Sequence, residues 1–506
     1  MIDNENLPEI PKNWVWTRLG EIVDSLKGKK PEKLGPKNDA LNIPYIVIRS
    51  FEHKIFEKYT DGNGCELCDK EDILIVWDGA RCGLAGRGVS GAVGSTIVKL
   101  ICYELDKSFI FYLIQSKYDN INKRPRGVGI PHVDPNVFWN IPVPLPPLSE
   151  QQRIVAKIEE LFTNLNAGIK ALEKVKTQLK RYRQAILKYA FEGKLTREWR
   201  ELHKEELEPT SVLLEHILKN RRERWEKAEL GKMQRNSRFP KDDKWKNAYK
   251  EPMRLIHRPD IKLPRRWDWT SLDTLTYFIV DYRGKTPPSS EKGIPVISAA
   301  NVKNGKIVLD KPRFVSQETY DSWTTRGLPK PGDLIVTTEA PVGEAALYPQ
   351  DRTYLLTRRV LACQTLGVEN FYLMCFFYSD LARDYLNEKS RGTTVPRILK
   401  PILFSMPIPL PPLLEQQKIV EEIEQRFSVI DEIEKTVEIN LKKTERLRQS
   451  ILKKAFEGKI VPQNPNDEPA HLLLEKIKTE KTKKNQRKSK KKREKYRQKR
   501  LIDYGT

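Results

Sequence analysis

Part of this chain is written twice. The segment IPVPLPPLSEQQRIVAKIEELF at 141–162 returns as MPIPLPPLLEQQKIVEEIEQRF at 406–427, and RYRQAILKYAFEGKL at 181–195 returns as RLRQSILKKAFEGKI at 446–460. The offset is 265 residues throughout, without a gap, and about half of the aligned positions are identical. Two copies of one segment must fold alike, so the duplication constrains the architecture before any local propensity is weighed. Looser echoes extend it. Trp14 and Trp16 align with Trp267 and Trp269, KGKKP at 27–31 with RGKTP at 283–287, EDILIVWDGA at 71–80 with GDLIVTTEA at 332–340, and RGVGIPH at 126–132 with RGTTVPR at 391–397. EPTSVLLEHIL at 208–218 is echoed by EPAHLLLEKIK at 468–478. The chain thus runs through a variable domain, a near-identical segment and a short echo, and then does so again.

The variable parts read as mixed β-rich domains. IPYIVI (43–48), DILIVW (72–77), IPVIS (294–298) and DLIVTT (333–338) are short apolar or β-branched runs bounded by Gly, Pro and Asp, the pattern of strands. KSFIFYLIQSKY (107–118) and ENFYLMCFFYSDLARDYL (369–386) each read as a single buried helix. PVPLPPL and PIPLPPL are not helical, because proline lacks an N–H donor and restrains the residue before it. They read as rigid extended exits from each domain.

Each exit leads into a long helix. Ile154, Ile158, Leu161, Leu165, Ile169, Leu172, Val175, Leu179, Tyr182 and Ile186 recur in steps of three and four, the seam of a coiled coil. The second copy shows Ile419, Ile423, Phe427, Ile430, Ile433, Val437 and Leu441, then Leu447 and Ile451. Ser149 followed by Gln152 predicts a capping box at the start of the first helix. Gly193 and Gly458 are natural stops. Each helix spans roughly 44 residues, or about 65 Å. Two such strips predict pairing with each other, the alternative being that each packs only on its own domain. The chain divides into a first variable domain (1–148), a first repeat helix (149–195), a charged helical connection (196–262), a second variable domain (263–413), a second repeat helix (414–460) and a basic C-terminal tail (461–506).

At 506 residues the chain is long enough for about three domains. No apolar run approaches the roughly 18 residues a membrane span needs. The polar, acidic start MIDNENLPEIPKNW is no secretory signal, and six cysteines make no disulfide framework. A soluble cytoplasmic protein is expected. The net charge is +23, and residues 476–500 hold fifteen Lys and Arg against Glu480 and Glu494, or +13 in that stretch alone. The tail is either a basic arm for phosphates or a solvated extension. The +10 left on the rest of the chain favours a polyanionic partner.

Catalytic constellations are missing. RGKT at 283–286 has no glycine five residues before Gly284, so it is no phosphate loop, and Pro131 interrupts the helix that should follow GVG at 127–129. No helicase-like acidic box is present. Thr286-Pro287-Pro288 lacks the polar head and the aromatic of an amino-methyltransferase motif. Cys65 and Cys68 form one CxxC, with Cys82 and Cys102 as the only further zinc ligands to hand and no equivalent pair in the second half. They read as ordinary thiols. His132 aligns with Arg397, which favours a shared cationic role over imidazole chemistry.

LPPLSEQQRIV and LPPLLEQQKIV, leading through an apolar seam to AFEGKL and AFEGKI, resemble the repeat helices of Type I restriction-modification specificity subunits. The WxWxxL, RGKTP, GDLIV and RGxxxP elements resemble the frame of their target recognition domains. The resemblance covers 7–200 and 263–462, and the 196–262 connection and the tail exceed the family minimum. It implies an α+β fold: two mixed α/β target recognition domains joined by two long antiparallel coiled-coil helices, in a pseudo-twofold, circular internal repeat. It also implies a non-catalytic subunit that reads double-stranded DNA, each domain taking one half of a split, asymmetric site. Two modification subunits, which methylate adenine with S-adenosylmethionine, would dock on the helices, and restriction subunits using ATP and Mg would join. No cofactor would belong to this chain. The rival classes are a fused restriction-modification enzyme, for which no catalytic motif is present, and a coiled-coil scaffold, which leaves the divergence of the two domains unexplained.

For DNA contacts the expected residues are cations near glycine and proline in the variable domains. In the first half these are Lys29, Lys30, Arg81, Lys123, Arg124, Arg126 and His132; in the second, Arg283, Lys285, Arg358, Arg359, Arg391 and Arg397. Glycine permits close backbone approach, and arginine can bond guanine bidentately. Each is equally open to a phosphate contact, since phosphate and sugar take half or more of protein–DNA hydrogen bonds.

Overall fold

The computed structural model describes residues 7–484 and 486, except 127–129, 238–239, 254, 256–257, 283–285 and 393. The chain forms two compact units, and each draws on both halves of the sequence: residues 1–173 with 438–506, and residues 174–437. Two helices of equal length, Leu148–Phe191 and Leu413–Phe456, supply both units. Each unit takes the first part of one helix and the last part of the other.

In the first unit Ile154, Ile158 and Phe162 share a core with Ile451, Leu452, Ala455 and Phe456. The pairing is antiparallel. Gln463 Nε2 donates to Glu150 Oε1 at 2.6 Å, and Arg448 Nη2 donates to Asn166 Oδ1 at 2.7 Å, with the Arg448 guanidinium 4.6 Å from the Phe162 ring. In the second unit Arg183 lies 4.5 Å from the Phe427 ring and donates to Asp431 Oδ1 at 2.7 Å. Arg183 and Arg448 are one repeat position, as are Phe162 and Phe427, and Asn166 and Asp431. Each unit makes the same clasp with the helices' roles exchanged, so the repeat is circular.

The motifs shared by the two copies are the ones that join these parts. Gln151 and Gln416 are fully buried. Each side chain donates to a proline-string carbonyl, Pro146 at 3.0 Å and Pro411 at 2.9 Å, and accepts from a backbone N–H of its domain, Asp106 at 3.1 Å and Glu369 at 3.0 Å. At the other end Phe456 meets Phe109 edge-on at 5.3 Å, and Phe191 meets Tyr372 and Phe376 at 5.1 and 5.2 Å. The last residues of one repeat thus dock on the domain that precedes the other. Gly193 and Gly458 stop the helices at φ +69°, and Lys194 and Lys459 close the turn by donating back to Tyr189 and Lys454. A left-handed residue with a six-to-one bond is the geometry that glycine supplies without a Cβ penalty.

Each variable domain carries two small sheets, to which the second adds a two-stranded ribbon, Val302–Lys303 with Lys306–Ile307. In the first unit the strand order is Val23–Lys27, Ile97–Cys102, Leu74–Val76, Ala85–Gly86, and in the other sheet Tyr59–Thr60, Ile43–Ile46, Gly91–Val93, Leu67–Cys68. In the second unit the orders are Thr276–Val280, Val360–Thr365, Leu334–Thr338, Val342–Leu347, and Phe314–Val315, Ile294–Ile297, Leu355–Leu356. Both domains hold one parallel pair among antiparallel ones. The proline strings Pro142–Leu145 and Pro407–Leu410 pair with Val15–Arg18 and Asp268–Ser271, placing Pro144 opposite Trp16 and Pro409 opposite Trp269. Two-stranded ribbons have only edges, where proline is tolerated.

Four expectations change. Ser149 makes no capping box: the helix begins at Leu148, and the Ser149 hydroxyl donates to Asp467 Oδ1 at 2.7 Å. The two "single" domain helices are broken, into Lys107–Ser116 with Tyr118–Asn122 and into Asn370–Phe376 with Asp380–Lys389. In the second, the Ser379 hydroxyl accepts from the Ala382 N–H and starts a new helix. The seam is open at Tyr182, Leu447 and Ile433, which are 48%, 51% and 39% exposed; beside the first two, Arg183 and Arg448 take the interface over Phe427 and Phe162. The tail is not wholly a solvated extension: 470–484 is helical and buries Leu473 and Ile477 in the first unit's core. Among the described residues no helix is long and apolar enough to cross a membrane.

Candidate nucleic-acid interface

Both domains make the same pair of backbone bonds at equivalent positions. In the first, Arg126 and His132 exchange backbone hydrogen bonds at 2.9 and 3.0 Å, closing the 126–132 loop at its base. In the second, Arg391 and Arg397 exchange bonds at 2.9 Å each. The proline before the closing residue is tied to a strand end, Pro131 O accepting from Gly79 N at 2.8 Å and Pro396 O from Ala340 N at 3.3 Å. The RGVGIPH and RGTTVPR stretches are therefore equivalent at their described ends: Arg126 pairs with His132 in one and Arg391 with Arg397 in the other, and none of the four is buried.

In the first unit this loop gathers the other expected cations. Asp78 sits at its base and receives His132 Nδ1 at 2.7 Å and Lys27 Nζ at 3.0 Å. Burial raises the Asp78 carboxyl, but the bonds from His132 and Lys27 outweigh it, and its pKa lies below the ordinary aspartate value. One carboxylate therefore holds the KGKKP strand end beside the loop. Lys29 and Lys30 follow it and are exposed, while Gly28 is packed so closely that a Cβ would lie 2.2 Å from the carbonyl oxygens of Val93 and Gly94. Arg81 stands in the next turn, 2.5 Å from Glu52. The Asn122 amide donates to the carbonyls of Ala80 and Cys82 at 3.2 and 3.0 Å, which brings the exposed Lys123 and Arg124 to the same turn. All seven cations expected in this half fall on one connected set of loops.

The second unit repeats the plan with different chemistry. Glu339 stands where the first domain has Asp78, and Arg359 pairs with it at 2.8 Å. Arg358, Arg359 and Arg313 line an open cleft of about 240 Å³ with Thr286, Pro287, Ser298 and Thr357. Arg391 and Arg397 are carried by the adjoining loop, since Ala340, which binds Pro396, also lines the cleft. Arg283 and Lys285 lie outside the described residues. Sequence reasoning missed Lys27, Asp78, Arg313 and Glu339. Asp78 and Glu339 had a signal, as both end the aligned EDILIVWDGA and GDLIVTTEA strands, but acids are not sought in a site for a polyanion. Arg313 had none, because its loop reaches the cleft only through sheet pairing.

Cys65 and Cys68 are free thiols, and burial pushes Cys68 up to about 11.

The model of the Type I restriction modification DNA specificity domain matches residues 11–174 and 279–443. The chain is 26% identical over 474 residues to the Type I restriction enzyme MjaVIII specificity subunit of Methanocaldococcus jannaschii, covering 90% of this chain and 95% of that protein. It is 28% identical over 512 residues to the EcoKI specificity subunit of Escherichia coli K12, covering 94% and 96%. A solved chain from work on complex assembly and conformational transition of the type I R-M system superposes with a TM-score of 0.61 at 19% identity, over 90% of this chain and all of that one.

Proposed function

The chain belongs to the Type I restriction-modification DNA specificity family, and on that premise we propose how it works. It is a specificity subunit, the DNA-recognition component of its complex and not the catalytic one. Each domain reads one half of a split, asymmetric DNA site with its loop cluster. The first uses the loops around Lys29, Lys30, Arg81, Lys123, Arg124, Arg126 and His132; the second uses Arg358, Arg359, Arg391 and Arg397 with Arg283 and Lys285. The observation that carries this reading is the pair of equivalent backbone pairings, Arg126 with His132 and Arg391 with Arg397, set in domains of one frame and different side chains. A common frame with altered contacts is what two different half-sites require, because base edges are told apart by their donor and acceptor patterns.

The two long helices set the gap between half-sites and dock modification subunits. Exposed apolar residues at equivalent positions, Tyr182 and Leu447, support such docking. Those partners carry S-adenosylmethionine and methylate adenine, and restriction subunits bring ATP and Mg; this chain holds no cofactor and works in the cytoplasm. Sequencing the DNA methylated by the chain with a modification subunit tests the reading. A split site is expected, with no methylation by the chain alone. Removing one heptad from each helix, 170–176 and 435–441, shortens each by about 10 Å and should change the gap by about three base pairs, with weaker binding. A continuous site, methylation by the chain alone, or an unchanged gap at undiminished affinity would each refute the corresponding part.

A further inference from the structure

The duplication continues past the long helices into a pair of basic helices. Thr210–Arg235 follows the first repeat, and 470–484 follows the second. They dock alike. Thr210 N donates to Arg266 O at 3.2 Å and Ala470 N to Asn13 O at 3.1 Å, in each case to the residue before the buried tryptophan, Trp267 or Trp14. Ile217 and Ile477 are buried at equivalent depth in their units. One turn further on, both insert a cation at one place. Arg221 Nε donates to Thr276 O at 3.1 Å and its guanidinium meets Asp273 at 3.4 Å; Lys481 donates to the carbonyls of Gly20 and Val23 at 2.6 and 2.8 Å and meets Asp24 at 3.0 Å. Both cations sit where the short helix, Leu272–Leu275 or Leu19–Ile22, turns into the first strand of the domain sheet. A solvated tail would not repeat this anchorage.

The helices also run the same way. Lys478 meets Glu21 at 3.6 Å and Lys481 meets Asp24, so helix and strand advance together, and the strand Val23–Lys27 leads directly to Lys29 and Lys30. In the second unit Arg221 lies at Thr276 and Arg224 stacks 4.7 Å from Tyr277, again in step with a strand, Thr276–Val280, that leads to RGKTP. Trp225 stacks on Trp245 at 6.0 Å and packs against Tyr249 at 5.4 Å, which pins the second half of that helix. Lys219, Lys227 and Arg235 are exposed on it, as Lys483 and Lys484 are on its counterpart, where the chain goes on into the rest of the fifteen cations of 476–500.

We propose that these two helices are paired electrostatic arms, each anchored by Arg221 or Lys481 beside the first strand of its recognition domain and gripping the phosphate backbone of DNA flanking that domain's half-site. The proposal rests on the DNA-reading function given above, and the test separates the two. The full chain, assembled with its modification subunit, is titrated with duplex DNA containing its methylated site at several salt concentrations. One variant carries Lys219→Gln, Lys227→Gln and Arg235→Gln; another carries Lys483→Gln and Lys484→Gln. All substituted side chains are exposed, so thermal unfolding should match the parent. In each variant the slope of log affinity against log salt should become shallower by about 0.9 for every phosphate that is no longer neutralised, up to about 2.7 for the first variant and about 1.8 for the second, while the preferred sequence stays the same. An unchanged slope in either variant overturns the paired arms. A parent complex that prefers no sequence refutes the DNA-reading function instead, and the slopes still decide the arms.

Discussion

Glu150 and Glu415 occupy one repeat position, and both are fully buried. Glu415 accepts from Thr196 Oγ1, Arg200 Nε and Trp267 Nε1 at 2.7, 2.7 and 2.8 Å. Glu150 in the other copy accepts from Gln463. Burial raises the Glu150 carboxyl above the ordinary glutamate value. Glu415→Gln should therefore cost about 3 kcal/mol, because it leaves the nearly buried Arg200 without its counter-charge. Glu150→Gln should be close to neutral. The sign with pH follows from the raised value. The folded state holds the Glu150 proton more tightly than the unfolded state, so wild type loses stability as pH rises above the ordinary glutamate range, and Glu150→Gln does not. Urea midpoints at mildly acidic and neutral pH check both statements; equal losses for the two variants would contradict them. This asymmetry is invisible in EQQ read as text, since the partners come from 148 to 219 residues away in one copy and 313 in the other. The exposed positions of Lys29, Lys30, Lys123, Arg124, Arg126, Arg358, Arg391 and Arg397 were legible, because Gly and Pro mark the turns that carry them. The acids that organise them were not.

At the scale of elements, the duplication made the long helices and their ends legible, and helix-stop chemistry placed Gly193 and Gly458 correctly. An added Cβ at Gly458 would lie 2.4 Å from Pro11 Cγ, and one at Gly193 2.3 Å from Pro264 Cγ, at φ +69° in both cases. Alanine at either position should cost about 1–2 kcal/mol for the left-handed backbone alone, and more from the clash. Gly168 lies inside the first helix with nothing within 4 Å of its added Cβ, so Gly168→Ala should stabilise by about 0.5–1 kcal/mol. Denaturant unfolding of the three variants reads the opposite signs, and a common sign would defeat this account of the helix ends. Local pattern failed where tertiary contacts intervene. Tyr182 and Leu447 fit the seam by spacing, yet the arginines beside them reach the facing phenylalanines first. The break at Ser379 inside an apolar stretch was equally hidden, for periodicity alone does not reveal that a serine caps a new helix.

On the scale of the whole molecule, the chain makes two units by exchanging helix ends, so that each variable domain is held by the start of its own repeat helix and the end of the other. Phe456 and Phe191, which belong to the parts that the two copies share, meet Phe109 and Tyr372 of the variable domains, whereas the loop cations lie away from these contacts in the variable domains themselves. A domain can then change its DNA contacts without disturbing the helices that carry it. The most direct measurement is to replace residues 1–148 with the corresponding domain of a relative, keeping an aromatic residue opposite Phe456, and to sequence the DNA methylated by the reassembled complex. One half of the site should change while the other half and the gap between them stay as they were. A change in both halves, or in neither, would contradict separate reading by two domains on a shared frame.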